Sequence, residues 1–364
     1  MTTMQSSVIY NHEYPRRLRA AAVGCGGHAL RNIFPTFQFA PVDLVGVCDI
    51  VPERAASAAR LFGGGNAYSD LREMLEKERP EVVFVVLNSD AQGHLQYPAV
   101  AMEAMRAGAS VWIEKPPASS ADEVRQMMQV SRETGKFVSV GFKRMFFPAN
   151  VKAREITRRP EFGPISAITA RYPQALPPLE ERGDDKKMAG FLDHIVHPCS
   201  LLRCLGGPIE SLTVEREGRT GASLTTFRFR SGALGSLHLS AGQSEQSPLE
   251  RTEITGQGSN VVVDNNLRVT YYRPGATRGG YGRAASCYGD AQGAMHWEPE
   301  FSLGQLYNKG LFLLGYAPEI AYFCDCALSG QAPEIANLDD ALELMKIYEA
   351  YRQPDGLRVH LAEV

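Results

Sequence analysis

The sequence predicts a doubly wound, parallel α/β sheet, followed by an α+β half whose sheet is open and mostly antiparallel. Three observations carry that expectation. Apolar runs and helical patterns alternate from Leu18 to Phe142, as strand–helix–strand crossovers require. A glycine turn, Gly24-Cys25-Gly26-Gly27-His28-Ala29, joins the first strand to the first helix. From Ile209 to Tyr272, six strand-like runs follow one another without a helical pattern between them, which favours antiparallel pairing. A chain of 364 residues is long enough for two domains, so we expect a loose arm over 1–17, a first domain over 18–143 and a second over 144–364.

Taken in order, Leu18–Val23 is a short strand that meets the glycine turn. Gly24 permits the tight turn, Gly26 lets the backbone approach a pyrophosphate, and small Ala29 lets helix and strand pack closely. The following pattern predicts a helix from Leu30 to about Phe39, whose N-terminal end, with Gly27 and His28, faces the anion. Val42–Cys48 is a second strand, and Asp49 ends it where the acidic residue of a Rossmann dinucleotide fingerprint stands. A carboxylate there accepts the ribose hydroxyls of adenosine and repels a 2′-phosphate. No arginine follows it directly; Ile50, Val51 and Pro52 do, so NAD is expected in preference to NADP.

Asp70–Lys77 reads as a helix, and Val82–Leu87 as a strand covered on both faces. Asn88, Ser89 and His94 follow at its carboxyl edge, placed beside a cofactor. Helix Pro98–Ala107 leads into Val111-Trp112-Ile113, a buried strand that runs into Glu114-Lys115-Pro116-Pro117. The prolines stop it, because they fix φ and carry no N–H for a ladder. Glu114 and Lys115 therefore stand at the carboxyl end of a strand, the edge where open parallel sheets bind ligands. Pro116 holds the turn that aims Lys115, and the Lys115–Pro116 bond is a candidate for the cis form. Helix Ala121–Thr134 and strand Phe137–Phe142 close this half.

In the second half, Met145–Arg159 is a helical stretch rich in basic residues, and Ile165–Tyr172 alternates as a strand. Pro173–Lys187 is a loop dense in proline and charge, and a loop that long in a compact domain is expected to be either functional or disordered. Tyr172, Gln174, Arg182, Lys187 and Trp297 are candidate substrate contacts. Gly190–Leu202 is an apolar helix carrying Asp193 and His197 four residues apart, hence on one face. A carboxylate there can orient an imidazole. Pro198 requires a kink or restart of that helix. His194, His197 and Cys199 do not share one face and no H-E-x-x-H occurs, so no metal is expected. Arg273–Trp297 is glycine-rich and irregular, and helices Pro318–Leu328 and Asp339–Ala350 precede a terminal Arg358–Leu361 piece.

Composition narrows the function classes. With 44% hydrophobic residues the chain can bury a large core, and with a net charge of −3 and no basic stripe, nucleic acid is not an expected partner. No apolar run approaches the ~20 residues that span a membrane, so no membrane partner is expected. The polar stretch Met1–Arg17 does not read as a secretory signal. Seven scattered cysteines, an odd number, fit reduced thiols and a cytoplasmic location.

Taken together, the Gly24–Ala29 turn, Asp49, Glu114-Lys115-Pro116, Gly141-Phe142-Lys143-Arg144, the Asp193-x-x-x-His197 helix and Gly315-Tyr316 with Glu319 and Phe323 resemble the Gfo/Idh/MocA oxidoreductases, the glucose–fructose oxidoreductase and inositol dehydrogenase group. The resemblance runs from about Leu18 to the end. It implies a Rossmann dinucleotide-binding domain, a substrate-binding and oligomerising domain, and homodimers or tetramers formed through the second sheet. It also implies hydride transfer between NAD(P) and a secondary alcohol or ketone of a sugar, sugar derivative or cyclitol. The family's catalytic lysine, aspartate and histidine fall on Lys115, Asp193 and His197. Lys115, Arg144, Tyr172, Gln174, Asp193, His194 and His197 are then expected to meet substrate. Asn88-Ser89-Asp90 and Lys187–Phe191 depart from the family pattern where specificity is set, so the family's substrates do not transfer. Two other classes stay open: a redox-neutral glycosidase working by transient oxidation with tightly held NAD, and a non-catalytic sugar or nucleotide sensor. Retention of Lys115, Asp193 and His197 argues against the sensor.

Overall fold

The computed structural model describes residues 14–90, 93–274, 293–299 and 309–361. The arm over 1–13, Cys287 and most of the glycine-rich stretch lie outside the described residues. Two sheets organise the chain. The first holds six parallel strands: β1 (Leu18–Val23), β2 (Val42–Cys48), β3 (Asn66–Tyr68), β4 (Val82–Val85), β5 (Ser110–Ile113) and β6 (Val138–Val140), in the order β3-β2-β1-β4-β5-β6. That order reverses direction between β1 and β4, which leaves a crevice at their carboxyl ends. Every residue of β4 and β5 is buried, in keeping with their unbroken apolar runs.

Helices α1 (Pro52–Phe62), α2 (Leu71–Glu78), α3 (Tyr97–Arg106) and α4 (Ala121–Thr134) form the crossovers. Asp70 and Ser120 cap α2 and α4 by accepting the N–H of Glu73 and Glu123. The predicted helix after the glycine turn is different. It forms a π-helical turn over Ala29–Ile33 and then a 3₁₀ segment over Phe34–Phe39. Pro35 has no N–H to offer the Arg31 carbonyl, so the α pattern cannot continue through it.

After a 3₁₀ turn at Lys143–Phe146 comes α5 (Pro148–Thr157), so the basic stretch predicted as one helix is two pieces broken before Pro148. The second sheet contains β7 (Ala167–Tyr172), β8 (Ile209–Arg216), β9 (Ser223–Phe229), β10 (Leu234–Leu239), β11 (Arg251–Thr255), β12 (Asn260–Asp264), β13 (Arg268–Tyr272), β14 (Met295–Trp297) and β15 (Arg358–His360). Their order is β14-β13-β12-β11-β7-β10-β9-β8-β15, antiparallel throughout except for β7 beside β10. β9 alternates buried and exposed residues along its length, as expected of a sheet with one open face.

Helix α6 (Asp185–Gly206) packs against β7 and β10 and carries Asp193 and His197. It is longer than predicted. It begins inside the proline-rich loop, where Asp184 accepts the N–H groups of Lys186 and Lys187, and it continues past Pro198. The His194 carbonyl therefore loses its intrahelical donor.

Three further helices follow: α7 (Lys309–Leu313), α8 (Tyr316–Ser329) and α9 (Leu338–Tyr351). The last two return the chain to the first sheet. On α8, Phe323 meets Phe84 of β4, and on the approach to α9 the Ala336 carbonyl accepts from Val140 and Ser139 of β6. One apolar core then runs from α3 and α4 through α6 and α9 to the buried face of the second sheet. Among the described residues no helix is long and apolar enough to cross a membrane.

Candidate active site

The glycine turn fits a dinucleotide. Gly24 has φ +89°, and a Cβ there would collide with the Val86 carbonyl, so only glycine lets the turn lie against β4. At Gly26 a Cβ would meet nothing within 4 Å, so the outer side of the turn is open. Asp49 is nearly buried at the end of β2. Its carboxylate accepts the N–H of Cys25 at 2.7 Å and of Val51 at 2.9 Å. It ties the turn to β2 and keeps lone pairs for further donors such as ribose hydroxyls. His28, on the same turn, pairs through Nε2 with Glu114 at 2.8 Å. Glu114 also accepts the Lys115 N–H at 2.8 Å. It therefore fixes the turn after β5 and reaches the glycine turn as well.

Lys115 follows on a cis Lys115–Pro116 bond. Its Nζ donates to Asp193 Oδ1 at 2.7 Å and to the Asp193 carbonyl at 3.3 Å. The end of β5 is thereby joined to α6. The predicted Asp193–His197 pairing does not form: the carboxylate faces Lys115, and the His197 imidazole makes no hydrogen bond among the described residues. His197 is 9% exposed. Burial, followed by the charges of Arg144, Lys115, Lys143 and His194, pushes its pKa well below the usual histidine range. The ring is neutral and able to take a proton.

Around this pair stand most of the other predicted residues. His194 reaches Tyr172 through Nδ1 at 3.3 Å, and its ring centroid is 6.4 Å from that of His197. Arg144 stacks on the Tyr172 ring at 4.9 Å and makes a two-pronged pair with Glu250. Gln174 donates to the Phe191 carbonyl at 2.8 Å, while its buried Oε1 has no partner. Asn88, Ser89, His94, Lys115 and Asp193 border a cleft of about 450 Å³ that extends along α6 to Asp185 and Tyr348.

Arg182 is a correction. It is fully buried, and its guanidinium donates to the carbonyls of Pro177, Tyr351 and Gln353 and to Asp355, so it locks the loop to the end of α9 and meets no substrate. Exposed Lys187 is paired with Glu181, and Trp297 lies on β14 at the outer edge of the second sheet. Neither joins the cluster. Sequence reasoning did not single out Lys143, Tyr316 or Glu319 as site residues. Lys143 follows the last parallel strand as Lys115 follows β5, and the same edge argument would have found it.

Comparison with known proteins gives this arrangement a family. Residues 18–142 match the model of an oxidoreductase family with an NAD-binding Rossmann fold, and residues 150–262 match the GFO/IDH/MocA C-terminal domain. The chain belongs to the Gfo/Idh/MocA oxidoreductase family. A scyllo-inositol 2-dehydrogenase (NAD(+)) of Bacillus subtilis is 25% identical over 345 residues, covering 90% of this chain and 91% of that one. A D-glucoside 3-dehydrogenase of Escherichia coli is 32% identical over 156 residues, 42% of this chain and 43% of its own length. A dehydrogenase from Chromobacterium violaceum has the same fold, with a TM-score of 0.75 at 22% identity, over 92% of this chain and 94% of that chain. This Gfo/Idh/MocA protein is thus an oxidoreductase with an NAD-binding Rossmann fold.

Proposed function

We propose that this oxidoreductase is an NAD-dependent dehydrogenase acting on a secondary alcohol of a sugar or cyclitol, with Lys115 and His197 handling the hydroxyl proton. The observation that carries this reading is the Lys115–Asp193 contact, which joins the end of β5 to α6, the helix that carries the buried, neutral His197. The relatives' names, an inositol and a glucoside dehydrogenase, support the substrate class. Residues Gly24, Gly26, Gly27, His28, Ala29, Asp49, Asn88, Ser89, His94, Glu114 and Lys115 would hold the cofactor. Bound NAD supplies the hydride acceptor.

The chain's own residues do the rest. An ammonium has three donors, and Asp193 takes one side of that of Lys115, so the others can point at the substrate oxygen. There they stabilise the charge that develops as the proton leaves. His197 Nδ1 or Nε2 receives that proton. Its neutrality before reaction follows from burial and the surrounding cations. Asp193 acts on Lys115, holding the ammonium across the gap, and its second oxygen, 3.8 Å from His194 Nε2, can accept from a neighbouring hydroxyl. Tyr172, Gln174, Arg144 and His194 form the substrate wall.

A second part of the reading concerns assembly. The open face of the second sheet exposes Leu224 and Leu234, and we propose that two copies pair there. Light scattering would show a dimer or tetramer, and a monomer at high concentration would contradict it.

A panel of sugars and cyclitols read at the NADH absorbance tests the reaction. NADH formation with at least one free sugar or cyclitol is the expected result. NAD bound, no NADH formed, and release of an aglycone from glycosides would instead support the redox-neutral glycosidase.

A further inference from the structure

We propose that Lys143, held by Tyr316, is a substrate-binding cation that selects a hydroxy compound carrying an anionic group, carboxylate or phosphate. The inference rests on the dehydrogenase reading and names the substrate class of the same site.

Lys143 follows β6 at the carboxyl edge of the parallel sheet, the edge that also carries Lys115. Its Nζ lies 2.8 Å from the Tyr316 hydroxyl and 4.4 Å from the centre of that ring. α8 fixes this pair from the other side. Gly315, with φ +76°, brings the start of α8 so close to the Lys143 carbonyl that a Cβ would collide with it. Charge accounting shows what is missing. Lys115 is paired with Asp193 and Arg144 with Glu250, while Glu114, whose charge also favours the Lys143 ammonium from a distance, is bonded to His28. Lys143 has no ion pair among the described residues, and its polar partner is the neutral Tyr316 hydroxyl.

Glu319, one turn along α8, does not supply the charge. It is buried and both carboxyl oxygens lack a hydrogen-bond partner. Burial, and then the charge of Glu114, push its pKa well above the usual carboxylate range and disfavour the charged form. The Lys143 charge instead acts on His197, whose imidazole it helps to keep unprotonated.

A half-buried ammonium with no carboxylate in direct contact is costly, so an anion from outside the chain is the natural partner. The cofactor does not provide it. The oxidised nicotinamide ring is itself cationic. The pyrophosphate cradle follows β1, and three strand spacings, about 14 Å of sheet, separate the backbone of β1 from that of β6. The remaining source is the substrate.

The test is equilibrium binding to the NAD-loaded full-length protein, using three probes: L-tartrate, inorganic phosphate and uncharged threitol. L-Tartrate or phosphate should bind at least about tenfold more tightly than threitol, and Lys143→Met should remove most of that preference. Lys143→Arg should keep part of it. The tartrate and phosphate arms separate a carboxylate-bearing substrate from a phosphate ester. NAD affinity and melting temperature, measured on each variant, report folding, and the arginine variant serves if the methionine variant does not fold. If neither anion binds better than threitol, or if Lys143→Met leaves the preference intact, the inference is overturned. That failure is separate from failure of the dehydrogenase reading, which is read from NADH formation on the sugar and cyclitol panel.

Discussion

Two buried titratable residues with opposite roles sit within this one site. His197 is the proposed proton acceptor, and its depressed pKa has a visible consequence in pH profiles. The acid limb of kcat/KM should fall well below pH 6.5, the ordinary histidine value, because the free enzyme stays unprotonated there. Lys115→Met or Lys143→Met removes a positive charge beside the ring and should move that limb upward. A limb at or above 6.5 in the wild type would exclude His197 as the base. The linkage to stability has the same sign. The unfolded histidine binds a proton near pH 6.5 while the folded one does not, so His197 costs stability as pH falls below that value. Glu319 has the reverse sense. Its raised pKa means that the folded chain holds a proton the unfolded chain releases above about pH 4.5. Stability is therefore lost as pH rises through the folded pKa. Glu319→Gln should raise the melting temperature at neutral pH relative to wild type, and the gain should shrink toward pH 4; equal melting curves at neutral pH would contradict the assignment.

At the scale of elements, the strands were legible because their signals are local. β1, β2 and β12 fall on the expected residues, since a buried parallel strand is an unbroken apolar run and a half-exposed one alternates. β3 carried no such signal: it is three residues long with two exposed, and only pairing with β2 makes it a strand. Lys115 was legible because prolines mark where its strand stops. The partner of Asp193 was not. Helical spacing places Asp193 and His197 on one face, but the choice between His197 and Lys115 depends on how two distant elements dock. Arg182 failed for a related reason. A charged residue in a proline-rich loop reads as solvated, and the carbonyls that bury it come from the end of α9, well over a hundred residues away. Arg182→Ala should cost about 3 kcal/mol, since it leaves those carbonyls and Asp355 without their donor. Chemical denaturation checks this, and a loss below about 1 kcal/mol would mean that the loop is held by other contacts.

For the whole molecule, the chain's return path matters most. The helices α8 and α9 come back from the second half to pack on the first sheet, so one continuous core fixes the distance between the end of β5 and α6. That rigidity holds a lysine at the edge of one sheet and a histidine on a helix of the other half in fixed relation, as the proposed reaction at one substrate hydroxyl requires. The family match establishes an NAD-binding oxidoreductase; the residues that meet across the gap carry the proposed chemistry. The claim that this junction is the catalytic centre is tested most directly by single-turnover NADH formation in wild type and Lys115→Met, with NAD affinity measured separately. A positioned donor of this kind is worth about 10²–10⁴ in rate, so the variant should lose at least about a hundredfold while NAD affinity changes by less than about tenfold. Near wild-type turnover in Lys115→Met with the true substrate would contradict the account.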